Sequence, residues 1–245
     1  MLLITSDDRL AAAAPERFRH AWTGLMGFSF LFGIGLTFVW GAAWRLFKEP
    51  GGILFTPAAL TLAVYVLGPY RRAAAALVDV VAGRDAAFRP LAAASLLVVL
   101  AMAMLGLAPR SYHRDPLLPW LQWALPDMEI YRVLILMPLW GAWATVVTGQ
   151  FRKPDAATEP AVAAFVRGGG AVPAAVAMAV PFAGTCAYFN YLGLWMFALA
   201  GAGAIGGILS GLALARMTGG LNRRALLAGN LVTQLVFLAA YLATR

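Results

Sequence analysis

Charge is what this sequence has least of. Asp, Glu, Lys and Arg make up 12% of its 245 residues, against roughly a quarter in an average soluble domain. All eleven acids fall between or beyond the long apolar runs. That argues against an ion-coupled transporter with a carboxylate at the membrane midplane. Cysteine occurs once, as Cys186. A lone thiol excludes an intrachain disulfide and a cysteine metal cluster, and it reads as a small packing residue. The two histidines, His20 and His113, fall on opposite sides in the topology below, so they cannot share a metal or a haem. No HExxH, Walker A or GxSxG motif is present. There is no repeat of fixed period and no low-complexity tail.

Apolar residues are abundant, at 62%, and the mean hydropathy is +0.76. A soluble fold of this length has too little polar surface to hide so much apolar area, whereas lipid hides it without cost. A hydrocarbon core of about 30 Å needs roughly 20 helical residues. The charge-free runs are 21–44, 50–70, 90–109, 133–151, 168–215 and 225–244. The run 168–215 is too long for one crossing. It contains the break Tyr188-Phe189-Asn190-Tyr191-Leu192-Gly193, where Asn and Gly favour a turn and tyrosines suit an interface. Splitting it there gives seven spans, near 21–44, 50–70, 90–109, 133–151, 170–189, 193–215 and 225–244. The expected fold is all-α: a polytopic membrane bundle, one domain over 21–245 behind a tail of residues 1–20.

The net charge is +8 and the pI about 10.2. The basic residues stand between apolar runs rather than on one polar face, so they read as topogenic and not as a nucleic-acid surface. Counting Lys and Arg on alternate sides of the seven spans gives thirteen against six. The larger count goes with the N-terminus, which is therefore expected in the cytoplasm. Asp7 and Asp8 stand where a signal peptide needs apolar residues, so the tail is expected to be retained. Segment 71–89 is helix-prone and reads as an amphipathic helix on the cytoplasmic membrane surface. Segment 110–132 reads as an outer interfacial helix around Trp120 and Trp123, punctuated by Pro116, Pro119 and Pro126. Its His113, Asp115, Asp127 and Glu129 read as a solvated loop before a hard-cation site. A lipid-modifying enzyme with an interfacial site there is the weakest of three functional readings.

Within the apolar runs, Gly203, Gly207 and Gly211 recur every four residues. They suit close helix packing inside one bundle, ahead of a dimerising face. Pro138, Pro173 and Pro181 are tolerable kinks. Asn230, Thr233 and Gln234 share one face of the last span. They either bond to neighbouring helices or line a polar cavity. Before them stands Gly219-Gly220-Leu221-Asn222-Arg223-Arg224. Asn222 is the expected N-cap. Arg223 and Arg224 at a helix start suit a phosphate, and equally the positive-inside signal.

The stretch ARMTGGLNRRALLAGNLVTQLVFLAAYLA resembles the closing segment of the adenosylcobinamide-GDP ribazoletransferases, the membrane cobalamin-phosphate synthases. Those end in a small-residue helix, an Arg, a Gly-Gly turn and a final span, here Gly203–Ala215, Arg216, Gly219-Gly220 and Ala225–Ala243. Upstream, Gly141-Ala142-Trp143-Ala144 is similar to the family's small residue before a Trp-Ala pair. The resemblance covers residues 134–243. It implies a multi-pass protein of a bacterial inner (plasma) membrane, Mg²⁺ as cofactor if the chain is an enzyme, and a phosphorylated small-molecule substrate. The family's acidic motif, roughly His-x-Asp-Gly-x-Ala-Asp-x-x-Asp, corresponds to 71–85, which keeps only Asp79 and Asp85 as metal candidates. The family's Gly-Asp and a later Glu fall near Arg223-Arg224 and Thr233-Gln234. The expectation is a divergent or catalytically silent member reduced to its binding groups: Arg223 and Arg224 for phosphate, Asn230 and Gln234 for ligand hydrogen bonds. The alternative is a non-enzymatic carrier, or a subunit of a larger membrane complex or homo-oligomer, in contact with membrane lipid.

Overall fold

The computed structural model describes residues 20–47, 55–83, 85–107, 129–151, 153–154 and 158–244. Most of segment 110–132, including Trp120 and Trp123, lies outside them, as does the tail. Among the described residues the chain is helical throughout, with no strand. The helices are α1 (Ala21–Phe47), α2 (Phe55–Leu67), α3 (Arg71–Ala82), α4 (Arg89–Gly106), α5 (Glu129–Phe151), α6 (Pro160–Gly169), α7 (Ala171–Tyr188), α8 (Trp195–Met217) and α9 (Arg223–Ala243). Six of them, α1, α4, α5, α7, α8 and α9, are long and apolar enough to cross a membrane. The protein is an all-α polytopic membrane bundle. The end where α1 begins is called proximal below, and the other end distal.

Helix α5 is the axis. Every residue from Val133 to Gly149 is buried, with α1, α7, α8 and α9 packed around it and α6 against its end. Lipid removes the usual hydrophobic incentive for helices to associate, so tight packing and polar contacts must hold them. Small residues make that packing close. A Cβ on Gly203 would lie 2.6 Å from the Trp140 ring, and one on Gly141 would lie 2.6 Å from Asn230 Oδ1. Gly207 meets Trp143, and Gly211 meets Thr148. The α8 glycines therefore face α5 within the same chain. Two indole N–H groups complete the attachment of α7. Trp140 Nε1 donates to Thr185 Oγ1 at 3.0 Å, and Trp143 Nε1 to the Ala174 carbonyl at 3.0 Å.

The break read at Tyr188–Gly193 is a turn: Asn190–Leu192 form one 3₁₀ turn. Gly193 then takes φ +61°, a left-handed conformation that costs glycine little. Helix α6 falls in a segment expected to be a loop. Its signals are Pro160 at the first helical position and Gly170 at φ +51° closing it.

The second passage differs from the expectation. Among the described residues helix α2 has 13 residues, about 20 Å of helix. Helix α3 continues it after the turn Gly68-Pro69-Tyr70, where Pro69 offers no backbone donor. Rather than lying on a membrane surface, α3 runs antiparallel along the first half of α9. At its start Tyr70 stacks on Tyr65 at 4.7 Å, and Tyr65 bonds to Gln234, midway along α9. At its end Asp79 and Gly83 reach Asn222 and Arg224. The physical reason is its buried face, Ala73, Ala74, Ala76, Leu77, Val78 and Ala82. Small residues let it seat against α9, where a surface helix would leave that face to lipid. The second passage is thus a pair of short helices, α2 and α3, beside the six helices long enough to cross. Arg71 and Arg72, assigned from the sequence to an amphipathic surface helix, stand at the break.

Two substitution sets test this packing. Gly211→Val and Gly141→Leu should each cost about 1–3 kcal/mol or more through overpacking and lower the detergent-solubilised melting temperature. Gly27→Ala, with nothing within 4 Å of its added Cβ, should be neutral or raise it. In a Cys186→Ser background, Ala75→Cys should resist a membrane-impermeant maleimide while Ala87→Cys reacts. Equal labelling of both would put α3 on the surface.

Candidate functional site

The proximal end brings three segments together: the end of α3, the turn leading into α4, and the start of α9. Between them lies a cavity of about 270 Å³ lined by Asp79, Ala82, Gly83, Asp85, Ala86, Arg89 and Arg224. A second of about 160 Å³, lined by Asp79, Val80, Gly83, Met217, Thr218, Asn222 and Arg224, adjoins it. Asp79, Gly83 and Arg224 line both.

Each charged group has a local reason for its position. Asp79 Oδ1 pairs with Arg89 Nη2 at 2.5 Å. The Arg89 side chain is 60% exposed, so water screens the pair and its contribution to stability is small. Asp85 Oδ1 accepts from Ala87 N at 2.9 Å and Phe88 N at 3.4 Å, ordering the turn before α4. Asn222 caps α9 as its sequence position suggests, its Oδ1 accepting from Ala225 N at 2.9 Å. Arg224 is exposed at the cavity and forms no ion pair among the described residues.

Arg223 goes elsewhere. It is buried, beneath the segment leading into α6. Its backbone N–H donates to Glu159 Oε2 at 3.4 Å, and Thr158 Oγ1 donates to the Leu221 carbonyl at 2.9 Å. A carboxylate thus already sits at the α9 N-terminus, where the helix dipole favours an anion. The cavity beside Arg224 is what remains for a ligand.

Asn230 and Gln234 are fully buried and line neither cavity. They join three helices. Tyr65 Oη donates to Gln234 Oε1 at 2.7 Å, Gln234 Nε2 to Asn230 Oδ1 at 2.6 Å, and Asn230 Nδ2 to Thr145 Oγ1 at 3.0 Å. Thr233 and Ser210 hydroxyls lie 3.1 Å apart between α9 and α8. The chain of bonds satisfies groups whose burial in lipid is otherwise costly.

The structure therefore unites Asp79, Asp85 and Arg224 and adds Arg89, which the sequence reading did not single out. Its only signal was its place four residues after Asp85, at the foot of a helix. Among the described residues no three His, Cys, Asp or Glu side chains form a metal cluster. Magnesium, however, commonly binds one or two carboxylates and takes its other ligands from substrate phosphate and water. Asp79 and Asp85 on one cavity fit that arrangement.

The distal turn is locked differently. Arg132 donates to the Tyr188 carbonyl at 2.8 Å and lies 5.9 Å from the Tyr191 ring centroid. Tyr191 donates to Glu129. Burial first, and Glu129 second, push the Tyr191 hydroxyl well above its ordinary range, so it stays the donor across accessible pH.

Tyr65→Phe should destabilise the protein by about 1 kcal/mol or less, as membrane hydrogen bonds do. Combined with Gln234→Leu it should cost less than the sum of the two single changes, because one bond is lost twice. Additivity in a detergent unfolding series would show that the bond carries no coupling.

No protein-family model, no curated protein and no solved structure matches this chain.

Proposed function

We propose that the protein is a divergent membrane protein of the ribazoletransferase type, with a phosphate-binding cavity at the proximal end between the α3–α4 turn and α9. One observation carries the reading. The two stretches corresponding to the family's motifs, 71–85 and 219–224, are far apart in the chain, yet Asp79, Asp85 and Arg224 line one cavity. In this reading Arg224 binds substrate phosphate by charge-assisted hydrogen bonds. Arg223 and Glu159 brace the helix start that presents it. Asp79 and Asp85 hold Mg²⁺, which when bound would neutralise pyrophosphate charge. Asn230 and Gln234 serve the ligand by fixing α9 against α2 and α5. An arginine stands where the family has a carboxylate, so phosphate binding outlasts strong metal binding, and transfer is slow or silent. The basic residues gathered at the proximal end support placing that end in the cytoplasm.

The test is a transferase assay on purified protein with adenosylcobinamide-GDP, α-ribazole phosphate and Mg²⁺, followed by chromatography of the corrinoid. Product above a heat-killed control supports the reading. Arg224→Ala should then weaken α-ribazole phosphate binding roughly ten-fold, the worth of a charge-assisted bond, and Asp79→Asn with Asp85→Asn should abolish dependence on Mg²⁺. The absence of both product and substrate binding in well-folded protein overturns it.

A second reading, a non-enzymatic anion carrier, is favoured by the broken passage. Arg71 and Arg72 lie at the start of half-helix α3, level with mid-α9, and form no ion pair among the described residues. Half-helix starts inside a membrane suit anionic substrates. Arg71→Ala with Arg72→Ala should then abolish anion flux in proteoliposomes while sparing the transferase assay.

A further inference from the structure

Beside the proximal cavity, and sharing Ala86 and Arg89 with it, lies a groove of about 420 Å³ between α3 and α4. Apart from Arg89 it is lined by apolar side chains, among them Val66, Ala75, Val78, Ala93 and Leu100. On α4 it runs from Arg89 to Leu100, twelve residues, or about 17 Å of helix. That is close to the depth of one leaflet, half of a hydrocarbon core of about 30 Å. The small residues Ala74, Ala75, Ala86 and Ala93 leave the space between the two helices unfilled. Val66, just before the α2–α3 break, closes the far end of the groove.

The head of the groove is charged on both signs. Asp79 and Arg89 neutralise each other, Arg224 has no ion pair among the described residues, and Asp85 commits one oxygen to the backbone. Without a bound cation, a doubly anionic headgroup would meet two carboxylates. A zwitterion with a phosphate and a primary ammonium meets a partner for each charge.

We propose that this groove and cavity seat one phosphatidylethanolamine molecule, with an acyl chain between α3 and α4, its phosphate at Arg224 and its ammonium at Asp85. The occupant shares the cavity of the proposed function but not its substrate. The lipid experiment contains no nucleotide or corrinoid, so either idea can fail alone.

The experiment is native mass spectrometry of the whole protein released from mixed micelles containing equal amounts of phosphatidylethanolamine, phosphatidylcholine and phosphatidylglycerol. The expected result is one retained phosphatidylethanolamine. Retention should fall roughly ten-fold in Arg224→Gln and in Asp85→Asn, as loss of a charge-assisted bond implies. Ala75→Phe, which fills the groove from its exposed side, should abolish retention. Circular dichroism and size-exclusion profiles keep these results separate from misfolding. Equal retention of all three lipids, preference for phosphatidylglycerol, or variants that keep the lipid as the parent does would overturn the proposal.

Discussion

The structure depends on one constraint: α5 is surrounded by protein along almost its whole length, in a solvent that does not drive helices together. Aqueous proteins gather helices by withholding apolar area from water, but lipid tails are as apolar as leucine. What remains is contact quality. Gly141 lets the α9 backbone and Asn230 approach α5, and Gly203 and Gly207 admit Trp140 and Trp143 into the face of α8. The tryptophans then have no water for their N–H groups and reach α7 for acceptors at Thr185 and Ala174. Remove the glycines and the indoles lose their slots; the polar bonds that depend on them then lose their geometry.

The same constraint explains the broken second passage. Two short helices in place of one let α3 lean on α9 while α2 stays against α1 and α4. Its alanine-rich face permits this, and the Tyr65–Gln234–Asn230–Thr145 chain secures the junction where it begins. The cost is that Arg71 and Arg72 stand at the break. Its consequence at the other end of α3 is that Asp79, Asp85 and Arg89 are brought beside Arg224, around a cavity whose charges balance. A phosphate bound at such a site would be held less by net potential than by placement.

Several features were legible in the residues themselves. The Tyr188–Gly193 break combines Asn190 and Gly193 with interfacial tyrosines, and local backbone preference suffices to make it a turn. Asn222 is a cap because its side chain reaches an amide three residues on, a wholly local bond. The glycines of α8 announce close packing by their four-residue spacing, though not which helix they face. Helix α6 was legible only in retrospect, from Pro160 and Gly170, because its ten residues lack a span's length and were outweighed by neighbouring charge. Segment 71–89 misled because an amphipathic pattern reports that one face is apolar, and says nothing of whether lipid or a neighbouring helix covers it.

Sequence alone determined that this is a helical membrane protein, because charge scarcity and run length against bilayer thickness are sums over residues that need no partner. It also determined the turns and caps, whose hydrogen bonds close within a few positions. Tertiary structure alone decided which polar side chains bond to one another and which face a cavity. Arg223 and Arg224 are neighbours with like chemistry, yet a helical turn of about 100° per residue sends one beneath Glu159 and the other to Asp79 and Asp85. That division follows from where α3 packs against α9 and where Thr158 and Glu159 meet its start, and packing is a property of surfaces brought together from distant parts of the chain.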